Sequence, residues 1–233
     1  MWPDAECPAD PYPGTAPAAS FVHCDGITRA MTPGPWRVGD TPLDGWLAAR
    51  DAPPAGARVP VLTYGSNRCP SKITWLRRQL GLGPDPVVVL RARTTGVAAV
   101  GANGVRARAG QRPAVLAAAP GVAEEHAVWL ATPEQVAVLD HCEGRDVRFR
   151  LARLRTGTVH TEDGARVDAP WVYLGHGPTR RPLLVDGAVV RCAEVPQAIA
   201  RNLDGEPGAD GLDAPTVVGA PHPDEWPSTL FAY

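Results

Sequence analysis

Residues 59–67 read VPVLTYGSN: a nearly unbroken apolar and β-branched run that stops abruptly at Tyr64, Gly65, Ser66 and Asn67. Apolar residues at successive positions mark a strand buried on both faces, and the glycine and small polar residues after it mark a tight loop. A helix signal follows directly. Ser71 is placed to cap it, Ile73, Leu76 and Leu80 recur at three and four residues, and Gly81 stands where a left-handed terminus is easiest. A strand, a loop and a helix in this order leave the loop with backbone amides that neither sheet nor helix uses. Such amides can hold a carboxylate or a developing oxyanion, and Gly65 allows close approach of a ligand.

Working outward, VVVLRAR (87–93), TTGVAAVG (94–101) and HAVWLA (126–131) read as strands. The segment TPEQVAVLDHCEG (132–144) carries a full set of helix signals: Thr132 as cap, Pro133 at the first position, Gln135 completing a capping box, and Gly144 as terminator. Further strands are predicted at 148–156 and 170–174, a short helix at 196–203, and a proline-rich tail ending in WPSTLFAY.

The second segment that can carry chemistry is Leu139-Asp140-His141-Cys142-Glu143-Gly144. Glu143 falls on the last helical turn, where the carbonyls concentrate negative charge, and Asp140 lies three residues earlier on the same face. Both effects should raise the Glu143 pKa, which suits a proton shuttle.

A strand ending in YGSN, a helix, a long β-patterned stretch, then a helix ending LDxxEG and another strand: this order resembles the gamma-glutamylcyclotransferase family. The resemblance runs from about Val59 to about Asp204 and includes WVYLG at 171–175. It implies an α+β fold, a gamma-glutamylcyclotransferase-like mixed β-barrel core with a few short helices. It also implies that the loop of Tyr64, Gly65, Ser66 and Asn67 binds a small-molecule γ-glutamyl substrate, that Glu143 is the acid/base, and that no cofactor is needed. The chemistry is consistent with these residues. A carboxylate takes a proton from the substrate's α-ammonium, the amine attacks its own γ-carbonyl to close 5-oxoproline, and the proton is returned to the departing amine.

The chain departs from the family pattern at Arg68-Cys69-Pro70, where relatives commonly carry an apolar pair, and at Phe149, where many carry a tyrosine. Two other readings of the same residues are a non-catalytic module that binds γ-glutamyl-like ligands and an amidohydrolase dependent on Cys69 or Ser66; a thiol nucleophile at Cys69 or Cys142 would take His141 or His126 as base. Ser66 lies outside any Gly-x-Ser-x-Gly elbow, because Tyr64 and Arg68 occupy the flanking positions. A weaker reading has Trp2, Trp36, Trp46 and Trp226 recruiting a protein partner.

Residues 1–58 contain ten prolines and seven acidic against four basic residues, so they are expected to form a Pro-rich N-terminal extension. Within it Asp40 or Thr41 caps a short helix through Trp46 and Leu47, residues 36–50 pack on the core, and residues 1–33 are dispensable for folding. The cyclotransferase-like domain then spans 59–207, with a C-terminal tail over 208–233.

The whole chain of 233 residues has a net charge of −2 and a pI near 6.3, which gives no broad cationic footprint for nucleic acid or anionic membrane. The five arginines between Arg145 and Arg155 are expected to form a solvated strand face. Five scattered cysteines without a Cys-x-x-Cys pair predict neither a disulfide framework nor a zinc site, and the six histidines lack metal-ligand spacing. The acidic, proline-rich start and the lack of an 18-residue apolar stretch lead to the expectation of a cytoplasmic protein.

Overall fold

The computed structural model describes residues 1–106 and 110–219. The chain runs β1 (Phe21–Cys24), β2 (Ile27–Thr32), β3 (Arg37–Val38), β4 (Thr41–Pro42), α1 (Leu43–Ala48), β5 (Val59–Thr63) and α2 (Pro70–Leu80). It continues with β6 (Val87–Gly101), β7 (Ala114–Ala131), α3 (Pro133–Glu143), β8 (Phe149–Arg153), β9 (Thr158–Thr161) and β10 (Trp171–Gly175). Three short strands, β11 (Leu183–Val185), β12 (Ala188–Val189) and β13 (Glu206–Pro207), form a separate sheet, with α4 (Gln197–Ala200) between the last two.

The fold is α+β. Its main sheet has the order β4-β3-β2-β1-β6-β7-β5-β10-β8, with β9 added to the β6 edge that also carries β1. All pairings are antiparallel except β5 with β10, where Trp171 lies opposite Val61. The two strands predicted over 87–101 are one long strand, β6. It forms a hairpin with β7, interrupted where the register shifts between Thr95 and Gly96. A bulge of this kind adds local twist. Gly96 supplies a positive φ of 85° there, and a Cβ on it would stand 3.2 Å from the Gly157 Cα.

The pleat sorts side chains strictly. Val61, Val87, Val89, Trp129 and Trp171 face α2 and α3, packing with Ile73, Leu76, Val136 and Leu139. The alternate residues Leu62, Val88, Leu90, Val128, Leu130 and Val172 share the other face with Val97, Ala99, Ala114 and Leu116 from the far half of the hairpin. Because both halves of the hairpin meet in one cluster, the sheet curls into a barrel-like core.

Residues 1–33, expected to be dispensable for folding, take part in this packing, and residues 36–50 pack on the core as expected. Strand β1 is hydrogen-bonded between β2 and β6, and Tyr12, Met31, Trp36, Trp46 and Leu47 are all buried in the inner cluster. Prolines suppress helix, but they leave short strands and packed loops open to the chain. The tail beyond 207 also engages the domain, with Thr216 bridging Ala152 and the Val217 amide donating to the Leu151 carbonyl. Trp2 and both internal tryptophans pack on the core, so the partner-recruiting reading loses Trp2, Trp36 and Trp46. Trp226 and the WPSTLFAY segment lie outside the described residues. No described helix is long and apolar enough to cross a membrane.

Candidate active site

The capping box that begins α3 forms as its sequence predicts, with Thr132 accepting from the Gln135 amide and Gly144 closing the helix at φ 63°. Glu143 is therefore the last helical residue, half-buried, and aimed across to the loop after β5. Asn67 Nδ2 donates a 2.7 Å hydrogen bond to Glu143 Oε1. The two segments singled out in the sequence thus meet in one place.

Each residue of the loop has a distinct position. Tyr64 turns inward and is buried, its hydroxyl donating to the Tyr173 carbonyl, and burial pushes its pKa well above the usual range. Gly65 has φ −116° and ψ −148°, so no left-handed backbone calls for glycine there, but a Cβ would lie 2.9 Å from the Tyr12 hydroxyl. Its missing side chain thus makes room for the Tyr12 hydroxyl. Ser66 begins a 3-10 turn, Ser66–Arg68, that has no side-chain cap, and the first amides of such a turn have no acceptor within it.

Two cavities meet at Glu143. A small one of about 40 Å³ is lined by Tyr12, the 61–67 segment, Ala114, Leu139, Phe149 and Tyr173. An open cleft of about 740 Å³ extends from Ser66 and Asn67 past Lys72, Arg106, His141, Arg148 and Arg180. The cleft is cationic: Lys72 Nζ lies 3.6 Å from the Trp75 ring centre, and Arg106 Cζ 4.6 Å from that of Tyr12. Burial, then the charges of Arg106 and Arg148, lower the pKa of Arg180.

The surroundings of Glu143 differ from the sequence expectation in two respects. Asp140 is engaged elsewhere, accepting from Tyr173 Oη at 2.7 Å and from Arg145 Nη1 at 3.0 Å. The helix-end carbonyls are also covered, since Arg148 Nε donates to the Glu143 carbonyl and Nη2 to that of Cys142. A guanidinium at a helix C-terminus offsets the negative end of its dipole. Arg145, Arg148 and Arg150 all bond within the protein, so the arginine run is a set of struts more than a solvated face.

Ser71 does not cap α2. That helix starts at Pro70 with Cys69 as an uncapped N-cap, and the Ser71 hydroxyl instead accepts from the Ala9 amide at 2.7 Å. Cys69 is fully buried, its Sγ 3.7 Å from the Pro13 carbonyl, and burial raises its pKa to about 12. A thiol in that state is not a nucleophile at neutral pH. His126, its candidate base, lies 3.3 Å from Glu124 in a different cavity that Cys69 does not line.

No family model and no curated protein sequence matches the chain. Among solved structures, a human protein described as uncharacterized protein loc79017 aligns with TM-score 0.42 and 17% identity, covering 52% of this chain and 68% of that one. A structure described as gamma-glutamyl cyclotransferase aligns with TM-score 0.38 and 18% identity, covering 51% of this chain and 67% of that one. Both are likenesses of about half of this chain, and nothing about the site rests on them.

Proposed function

We propose that this protein cyclises γ-glutamyl amides to 5-oxoproline and releases the free amine. The observation that carries this reading is the Asn67–Glu143 hydrogen bond, which holds a carboxylate beside a loop of uncapped amides at the junction of a small cavity and an open cleft. Glu143 takes a proton from the α-ammonium. The freed amine attacks the γ-carbonyl, the loop amides stabilise the tetrahedral oxyanion, Glu143 returns the proton as the carbon–nitrogen bond to the leaving amine breaks, and the second proton of the ring nitrogen passes to the released amine, which departs as its ammonium. The reaction is redox-neutral and needs no cofactor.

A fixed position for the base matters because ring closure requires a near-attack geometry of amine and carbonyl. The cations along the open cleft favour the reading further, since a γ-glutamyl group carries an α-carboxylate. The test is incubation with a panel of γ-glutamyl amides and detection of 5-oxoproline by mass spectrometry. Wild type should release it, and Glu143→Gln should bind the same amides while losing turnover by roughly a hundredfold or more. Tight binding by both forms with no 5-oxoproline from either would instead identify a binding module.

A further inference from the structure

Tyr12 enters the Glu143 cavity from a segment that the sequence places outside the catalytic domain. It is 6% exposed, with its oxygen beside Gly65 and its ring beneath Arg106. The hydroxyl accepts from the Ala114 amide at 2.9 Å. That bond uses a lone pair and leaves the O–H proton, which donates to no residue among those described. A buried hydroxyl whose proton is unused, facing a cavity, is a donor awaiting a ligand. Phe149, in the same cavity, supplies no hydroxyl.

We propose that Tyr12 is a substrate-contacting catalytic residue whose hydroxyl donates a hydrogen bond to the γ-carbonyl oxygen of the bound γ-glutamyl group. This rests on the cyclotransferase reading of the site. The placement follows from the loop, where Glu143 is tied to Asn67 and Tyr12 abuts Gly65 two residues earlier. A ligand lying along the loop meets a carboxylate at one end and a neutral donor at the other. Its α-ammonium goes to the carboxylate, and the carbonyl that this amine attacks falls beside the donor. Burial raises the phenol pKa above its usual range, so the group stays protonated. Tyr12 keeps its proton throughout, because the proton from the α-ammonium travels through Glu143 to the leaving amine.

The experiment uses the full-length protein and the γ-glutamyl amide that the panel shows to be converted fastest. Tyr12→Phe should lower kcat roughly a hundredfold with little change in KM, as for loss of one oxyanion donor. Gly65→Ala should have a similar effect, because its Cβ displaces the Tyr12 hydroxyl. The double variant Tyr12→Phe/Gly65→Ala should be no slower than either single one, since phenylalanine leaves the space free. Losses that multiply, or a Tyr12→Phe change confined to KM or to melting temperature, overturn the assignment. If Tyr12→Phe fails to fold, Gly65→Ala decides alone, and full kcat in that variant overturns it. An inactive wild type overturns the function and Tyr12's role together, whereas an active wild type unmoved by Tyr12→Phe overturns only the latter.

Discussion

Asn67 and Glu143 are 76 positions apart in the chain and joined by a 2.7 Å hydrogen bond from Nδ2 to Oε1. One side chain ends the loop that follows a strand and the other ends a helix, so the bond fixes how the two elements meet. Among the described residues, Glu143 Oε2 has no hydrogen-bond partner.

Asn67 is accordingly a positioning residue. Asn67→Ala should lower kcat by roughly tenfold to a hundredfold, the range expected for one hydrogen bond to a charged group, with a smaller change in KM. Steady-state kinetics beside a thermal melt test this. A melting temperature near wild type with unchanged kcat would show that Glu143 needs no such tether.

Removing residues 1–33 should abolish folding. The deletion takes away β1 and β2 together with the buried side chains of Tyr12, Phe21, Val22 and Met31. At roughly 1.5–3 kcal/mol for each large apolar side chain, four such losses approach the whole stability of a typical domain, roughly 5–15 kcal/mol. Soluble expression and far-UV circular dichroism of the truncated chain decide the matter. A cooperative melt like that of the full chain would contradict the role given to β1.

Glu124 should make stability depend on pH at the acid end. Its carboxylate is buried, which alone would raise its pKa, but contacts from His126, the Ala99 amide and Arg191 outweigh burial and hold it at about 2. A folded pKa below the ordinary 4.5 means that its contribution is complete above about pH 4.5 and is lost as pH falls from there toward 2. Glu124→Gln should therefore cost on the order of 3 kcal/mol at neutral pH, and less as pH drops through that window. Melting curves of both forms between pH 2.5 and 7 measure the gap. A constant gap would assign the effect to packing.

What the sequence determined by itself is local. The capping box of Thr132 and Gln135, the terminators Gly81 and Gly144 and the buried strand 59–63 all form where their residues place them, because each depends on neighbours within four positions. Glu143 and the 64–67 loop were legible as two separate sites of chemistry for the same reason. Only the tertiary structure decided how distant segments use their polar groups. Ser71 looked like a helix cap until its hydroxyl was taken by the Ala9 amide, 62 positions away. Tyr12 carried no signal at all, since its place beside Gly65 exists only once the hairpin brings Ala114 to its hydroxyl. The first 33 residues looked dispensable because prolines and acidic residues hide short strands, and the pairing partner β6 begins more than sixty positions after β1. Such pairings depend on shape and hydrogen bonding across the folded sheet, which no local pattern encodes.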